Sequence, residues 1–226
     1  MLDISGLAVE YPDGTRAINK FSLRLAGGES LALIGANGAG KTTLMLAITG
    51  ILPIAEGSIL VDGIELGKKT IAEIRRRVGL VFQNPDDQLF TASIYDDVAF
   101  GLRNLGLIRQ EVDERVKQTL QELEISHLCE KPALKLSGGE KRLAAIASVL
   151  SMRPSLLLFD EPTAFLDLQA RRTLIALLQR LPQAKIIASH DLAFLEDVCT
   201  RTLLMKDGTV AAEGGKAVQS FSTLLS

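Results

Sequence analysis

The chain has 226 residues, and its 25 lysines and arginines nearly balance 27 aspartates and glutamates, giving a formal net charge of -2 at pH 7. Hydrophobic residues make up 47% and charged residues 23%, a composition typical of globular domains and not of a disordered chain. The longest stretch without a charged residue, 42–55, is shorter than the roughly 20 apolar residues that span a bilayer, so we expect no transmembrane segment. The absence of a basic block disfavours nucleic-acid binding, and the N-terminus does not resemble a secretion signal.

The first part of the chain is predicted to be rich in strands. Alternating apolar residues indicate one strand within residues 2–9 and another within residues 18–25. These are followed by a buried strand at 30–34, a glycine-rich segment at 35–40, a helix at 41–48, a hairpin at 59–66 and a strand at 78–82. This order places a glycine loop between a buried strand and a helix.

The pattern then changes to helices and afterwards to alternating elements. Val112, Val116, Leu120 and Leu123 recur at helical spacing, and a further helix is predicted at about 139–150. After residue 154, strands and helices alternate at 155–159, 169–181, 185–189, 193–199 and 202–205, before a hairpin at 207–208. The sequence therefore predicts an α/β fold with a mainly parallel sheet, an N-terminal antiparallel β subdomain and an inserted helical subdomain.

The glycine-rich segment carries the clearest chemical pattern. Its residues match G-x-x-x-x-G-K-[ST] and are Gly35, Ala36, Asn37, Gly38, Ala39, Gly40, Lys41 and Thr42. Such a loop wraps a triphosphate with backbone N–H groups, while the lysine contacts the β and γ phosphates and the threonine hydroxyl binds Mg²⁺. A plain glycine-rich turn is the alternative, but the strand before the loop and the helix after it favour nucleotide binding.

A second pattern is an apolar strand that ends in two carboxylates. Leu156 to Phe159 are apolar, and Asp160 and Glu161 follow directly. A P-loop protein needs an acid at such a strand end to hold Mg²⁺, and the next acid is placed to polarise the water that attacks the γ-phosphate. The alternative is a strand that runs into a charged loop; the presence of the glycine loop disfavours it.

The third pattern begins the helix at about 139–150. It consists of Ser137, Gly138, Gly139 and Glu140. Bare N–H groups at such a helix start form a second anion site, whereas a capping box between Ser137 and Glu140 explains the same residues equally well. The residues by themselves leave both interpretations open.

With Leu136 before it, this segment resembles the signature of ATP-binding cassette (ABC) ATPases, and the order of glycine loop, signature and acidic strand is that of the family. The resemblance covers nearly the whole chain and implies a single cassette domain, with a core at about 1–87 and 152–226 and a helical subdomain at about 88–151. It also implies ATP and Mg²⁺ as ligands.

The resemblance further assigns roles to individual residues. Gln83 would contact Mg²⁺ and the attacking water, and His190 would contact the γ-phosphate. Tyr11 would stack on adenine, and Thr43 would join the loop residues at the nucleotide. Asp167 matches the aspartate that couples two sites across a dimer; the neighbouring Phe165 departs from the small residues that the family more often has.

The family geometry also implies a partner. Each ATP would lie between the glycine loop of one subunit and the signature residues Ser137 to Glu140 of another, so a head-to-tail dimer is required. The second ATPase subunit would be a copy of this chain or a paralogue. Closing and opening of this dimer would supply mechanical work.

The segment 82–90, Phe-Gln-Asn-Pro-Asp-Asp-Gln-Leu-Phe, is similar to the corresponding stretch in ATPases of energy-coupling factor importers, which take up cobalt, nickel or vitamins such as biotin. Residues 11–14 and 137–145 resemble the same subgroup, although the middle of segment 82–90 is also a good polar turn. The resemblance implies integral-membrane transporter and substrate-binding subunits, and a location at the cytoplasmic face of the membrane. Two alternatives are a soluble ABC ATPase of cluster assembly, repair or translation, and a nucleotide-gated scaffold; the intact Lys41, Asp160, Glu161 and His190 disfavour the scaffold.

Overall fold

The computed structural model describes residues 1–215 of the chain. Its strands are β1 (Leu2–Glu10), β2 (Arg16–Leu25), β3 (Ser30–Ile34), β4 (Glu56–Val61), β5 (Ile64–Glu65), β6 (Val78–Val81), β7 (Leu156–Asp160), β8 (Ala184–Ala188), β9 (Arg201–Lys206) and β10 (Thr209–Gly214). Its α-helices are α1 (Lys41–Ile48), α2 (Ile71–Arg77), α3 (Ile94–Asn104), α4 (Arg109–Glu122), α5 (Gly138–Leu150), α6 (Leu168–Arg180) and α7 (Leu192–Val198).

The chain divides into two compact units. Of the described residues, unit 1 comprises 1–80, 155–161 and 182–215, and unit 2 comprises 81–154 and 162–181. This division is made at other positions than the predicted subdomain boundaries, because residues 81–87, 152–154 and 162–181 group with the helices of unit 2. Chain order alone places α6 with the core. In the structure α6 packs against α5, which belongs to unit 2. The interpretation of the two units as a cassette core and its helical subdomain stays a prediction.

Unit 1 contains an antiparallel sheet built from the N-terminal strands. Its strand order is β2-β1-β4-β5, and the register pairs Leu2 with Leu25 and with Val61. The apolar residues that predicted β1 and β2 are buried, and the step of three between Ile4 and Leu7 coincides with a shift in the register of the two strands. The predicted antiparallel N-terminal subdomain is therefore confirmed.

The second sheet has the order β10-β9-β3-β8-β7-β6. Strand β3 pairs in parallel with β8 and β9, and β7 pairs in parallel with β8, whereas β10 returns antiparallel to β9. Strands β3, β7 and β8 are buried at every residue, which matches their mainly apolar sequences; Lys185 in β8 is a buried exception. The carboxyl ends of these three strands meet at one edge of the sheet, and the glycine loop, Glu161 and the segment before His190 leave from that edge.

Unit 2 is mainly helical. Helix α3 packs against α4 and α5, and α5 also packs against α6. The predicted apolar stripe of α4 is buried at Val112, Val116 and Leu120. The mainly parallel sheet and the helical insertion confirm the predicted fold class.

None of the helices within residues 1–215 combines the length and the apolar content that crossing a membrane requires.

Candidate active site

The glycine loop of unit 1 connects β3 to α1. Gly40, the residue before α1, has a φ of 102°, and a Cβ atom added there would lie 2.8 Å from the carbonyl oxygen of Ala17. A side chain is excluded by both the backbone conformation and this contact, so the loop requires glycine at this position. Helix α1 therefore begins with its N–H groups facing the loop.

Lys41 is buried and closes over the loop in this structure. Its Nζ atom donates to the carbonyl oxygens of Gly35 at 2.7 Å and Ala36 at 3.1 Å. Burial lowers the pKa of Lys41, and the carboxylates of Glu161 and Asp160 oppose that shift. A positive charge is therefore held among backbone carbonyls, beside two acids.

Thr42 and Asp160 meet although 118 positions separate them in the sequence. The Thr42 hydroxyl donates to Asp160 Oδ2 at 2.7 Å, and Asp160 is only 8% exposed at the end of β7. A hydroxyl and a carboxylate are oxygen donors of the kind that Mg²⁺ prefers.

Glu161 and His190 face each other at the same sheet edge. The backbone N–H of His190 donates to Glu161 Oε2 at 3.2 Å, and His190 Nε2 lies 3.3 Å from Oε1 and 3.1 Å from Asn37 Oδ1. Among the described residues, Glu161 Oε1 has no hydrogen-bond partner although it is buried. Glu161 also has a φ of 43°, a conformation that non-glycine residues seldom adopt outside special sites.

Tyr11 follows β1 and is half-buried. Its hydroxyl lies 2.9 Å from Thr43 Oγ1, in the helix that follows the glycine loop. The structure thus brings Tyr11, residues 35–43, Asp160, Glu161 and His190 together in unit 1. Gln83, exposed, belongs to unit 2.

Two of the signature residues in unit 2, Ser137 and Glu140, hydrogen-bond to each other at the start of α5. Ser137 Oγ accepts from the Glu140 backbone N–H at 3.3 Å, and Glu140 Oε2 accepts from the Ser137 backbone N–H at 2.8 Å. This is a capping box, the local alternative that the sequence left open. The capping box uses the same residues as the predicted anion site.

Gly139 and Asp167 lie where α5 and α6 approach each other. A Cβ atom added to Gly139 would lie 2.8 Å from the Ala170 Cβ atom, so only glycine allows this close packing. Asp167 caps α6 by accepting from the Ala170 N–H at 2.8 Å, and it lines a cavity of about 210 Å³ together with Ser137 and Glu140. Phe165, which precedes α6, is 86% exposed and has a φ of 63°.

Arg142 is a residue of this region that sequence reasoning missed. It is 1% exposed, and its Nη1 and Nη2 atoms donate to the carbonyl oxygens of Phe82 and Gln83, both at 2.7 Å. Burial lowers its pKa to about 10, so the guanidinium stays charged at neutral pH. Arg142 thereby ties the backbone of Gln83 to the helix that carries the signature.

We expect Arg142→Met to lower the free energy of unfolding by about 2–4 kcal/mol, because methionine fills the space but leaves two carbonyl groups without their charged donor. Chemical denaturation measures this loss. Arg109→Met is the matched control: its side chain is 95% exposed, so the same exchange should change stability by less than about 0.5 kcal/mol. Equal effects of the two variants would contradict a tethering role for Arg142.

Residues 18–164 match the family model described as ABC transporter. The chain belongs to this ABC transporter family. It is an ATPase of the kind whose activity is coupled to transport, as the signature and the glycine loop predict. Binding of ATP is a property of the family.

Two relatives show which ABC transporter ATPases this chain resembles. The energy-coupling factor transporter ATP-binding protein EcfA of Methanothermobacter thermautotrophicus is 41% identical over 95% of this chain and 70% of its own length. The cobalt import ATP-binding protein CbiO of Rhodobacter capsulatus is 43% identical over 96% of this chain and 79% of its own length. They confirm the resemblance to energy-coupling factor ATPases predicted from segment 82–90.

Solved structures agree with the sequence relatives. CbiO1 of Clostridium perfringens, described as part of the ABC transporter complex cbiONQ, matches with a TM-score of 0.86 at 38% identity over 98% of this chain and 91% of its own. The cassette MJ0796, described as a dimer in a post-hydrolysis state with ADP and Pi, matches with a TM-score of 0.85 at 25% identity over 96% of this chain and 99% of its own.

Proposed function

We propose that this ABC ATPase is the motor subunit of an energy-coupling factor importer. It would couple hydrolysis of Mg²⁺-bound ATP in a head-to-tail dimer to the uptake of a transition-metal ion such as cobalt or nickel, or of a vitamin such as biotin. The observation that carries the proposal is the cluster at one sheet edge, where Lys41, the Thr42–Asp160 pair and the Glu161–His190 pair surround the glycine loop. The likeness to EcfA and CbiO supports the importer assignment.

In this proposal the glycine loop and the start of α1 bind the phosphates through backbone N–H groups. Lys41 leaves the carbonyl oxygens of Gly35 and Ala36 and bonds to the β and γ phosphates. Tyr11, next to Thr43, stacks on the adenine. These contacts hold the nucleotide in place for reaction.

The Thr42 hydroxyl and the Asp160 carboxylate would supply oxygen ligands that fit Mg²⁺. The role of Gln83 at Mg²⁺ stays the one that the family resemblance predicts. When bound, Mg²⁺ would offset charge on the β and γ phosphates.

Glu161 takes the proton of the attacking water in this proposal. Its buried Oε1 atom forms no hydrogen bond with the described residues, although His190 Nε2 lies 3.3 Å away, so it can accept from a water molecule once His190 turns aside. His190, now 3.1 Å from Asn37, turns to the γ-phosphate. Ser137 to Glu140 of the second subunit, with Asp167 at its edge, complete the site from the other side.

The membrane partners would be transporter and substrate-binding subunits on other chains, with this subunit bound at the cytoplasmic face. Segment 82–90 offers a candidate contact, because Phe90 is 64% exposed and stacks edge to face on the exposed Phe100 with ring centroids 5.2 Å apart. Aromatic residues are enriched at protein contact surfaces.

Affinity purification from solubilised native membranes tests the proposal. We expect a multi-spanning membrane protein to co-purify with the wild-type chain, and Phe90→Ser to reduce its recovery. Ile51→Ser in unit 1 is the control, since it also removes an exposed apolar side chain, 51% exposed, and should not reduce recovery. Recovery of soluble partners alone would contradict the importer and favour a soluble ABC ATPase.

A further inference from the structure

The signature serine of this chain has both of its donors bound to one carboxylate. The backbone N–H and the hydroxyl of Ser137 both donate to Glu140 Oε2, each at 2.8 Å. These two hydrogen bonds, led by the backbone one, lower the pKa of Glu140, so its carboxylate is ionised at neutral pH. The Glu140 carboxylate therefore occupies both hydrogen-bond donors of Ser137.

The same donors are needed by a phosphate. A serine hydroxyl has a single proton, so it cannot donate to Glu140 and to a phosphate oxygen at the same time. A carboxylate and a phosphate that approach the same serine also repel each other. Asp167 adds a second carboxylate to the cavity that Ser137 and Glu140 line.

An alternative partner for the Glu140 carboxylate lies nearby. His127 Nε2 is 3.9 Å from Glu140 Oε1, and both side chains are partly exposed, so a small rotation of Glu140 exchanges Ser137 for His127. This rotation leaves the Ser137 donors free. It also moves the negative charge away from them.

We propose that Glu140 is a positioning residue that holds the Ser137 donors while no nucleotide is bound and has to release them before a second copy of the chain closes on ATP. The inference rests on the proposed function, in which Ser137 contacts the ATP held by the other subunit. A neutral amide at position 140 accepts the same cap hydrogen bond but competes less with phosphate, because hydrogen bonds to a charged acceptor are the stronger ones.

The test compares ATP-dependent dimerisation in a Glu161→Gln background, which slows hydrolysis. Sedimentation gives the ATP concentration at which half of the chain is dimeric. We expect Glu140→Gln to lower this concentration by about five- to tenfold, which corresponds to exchanging a charged for a neutral hydrogen bond. The thermal midpoint should fall by no more than a few degrees, because the amide oxygen still caps α5 but accepts a weaker hydrogen bond than the carboxylate. A purely structural role for Glu140 would give this fall without lowering the ATP concentration needed for dimerisation.

Glu111→Gln is the matched control. Glu111 Oε2 accepts from the Ile108 backbone N–H at 3.1 Å at the start of α4, so the variant makes the same change of charge in the same kind of helix cap. No hydroxyl is released there, and dimerisation should not change. An unchanged or higher ATP requirement for Glu140→Gln would overturn the inference, whereas absence of any ATP-dependent dimer in the Glu161→Gln background would overturn the proposed function itself.

Discussion

We expect Glu161→Gln to reduce ATP turnover by about 100-fold or more while ATP still binds. Glutamine keeps the shape of the side chain and can still accept from the His190 backbone N–H, as Glu161 Oε2 does at 3.2 Å. It cannot take a proton from the attacking water. Phosphate release measures turnover, and binding of a fluorescent ATP analogue measures affinity.

Glu65→Gln is the control for this change, because Glu65 is an exposed glutamate of β5 in the same unit and should leave turnover unaltered. A Glu161→Gln chain that hydrolyses ATP at the wild-type rate would show that Glu161 is not the base. The proposed chemistry at the sheet edge would then be wrong, although ATP binding by the glycine loop would stand.

The second large effect is a recovery of activity on mixing two inactive variants. Lys41→Ala removes the loop cation, and Ser137→Arg fills the space in front of the signature, so each variant alone should lose about 100-fold of its turnover. In a head-to-tail dimer, one mixed site combines the intact Lys41 of one subunit with the intact Ser137 of the other. An equal mixture forms mixed dimers in half of the cases, so about one quarter of the wild-type sites should be active.

A mixture of Lys41→Ala with Glu161→Gln is the control. Both changes lie in unit 1, so every site of a mixed dimer carries one of them, and no activity should return. A lack of recovery with Lys41→Ala and Ser137→Arg would contradict a site that two copies of this chain share.

Much of the fold, and the grouping of most candidate site residues at one sheet edge, could be predicted from the sequence. The reason is that these features depend on local patterns: glycine spacing in residues 35–42, unbroken apolar runs in β3 and β7, and an acid directly after a buried strand. The parallel pairing of β7 with β8 brings Asp160 and His190 to one edge, as the alternation of strands and helices predicts.

Features that depend on distant contacts could not be predicted. Arg142 looks like an ordinary charged residue of a helix, since the carbonyl groups it binds belong to residues 59 and 60 positions earlier. The grouping of α6 with unit 2 depends on its packing against α5, which chain order does not reveal. Helix α2 is not predicted from the sequence either. It has seven residues and buries only Ile74, so it is too short to show a repeating apolar stripe.

The exposure and backbone conformation of Phe165 also could not be predicted from the sequence. The sequence indicated only that Phe165 is bulkier than is common in the family. The structure adds that it is exposed and that its φ is 63°, a conformation that disfavours a side chain such as phenylalanine. Nothing in the described residues explains why phenylalanine stands there.

Uptake into cells that lack this chain tests the central claim most directly. Labelled cobalt, nickel and biotin are supplied in turn to cells that express either the wild-type chain or Glu161→Gln at equal levels. The account predicts that the wild-type chain restores uptake of one of these cargoes and that Glu161→Gln does not. Equal uptake with the wild-type chain and with Glu161→Gln would contradict an importer driven by ATP hydrolysis at Glu161. Full uptake of all three cargoes in cells that lack the chain would contradict it as well.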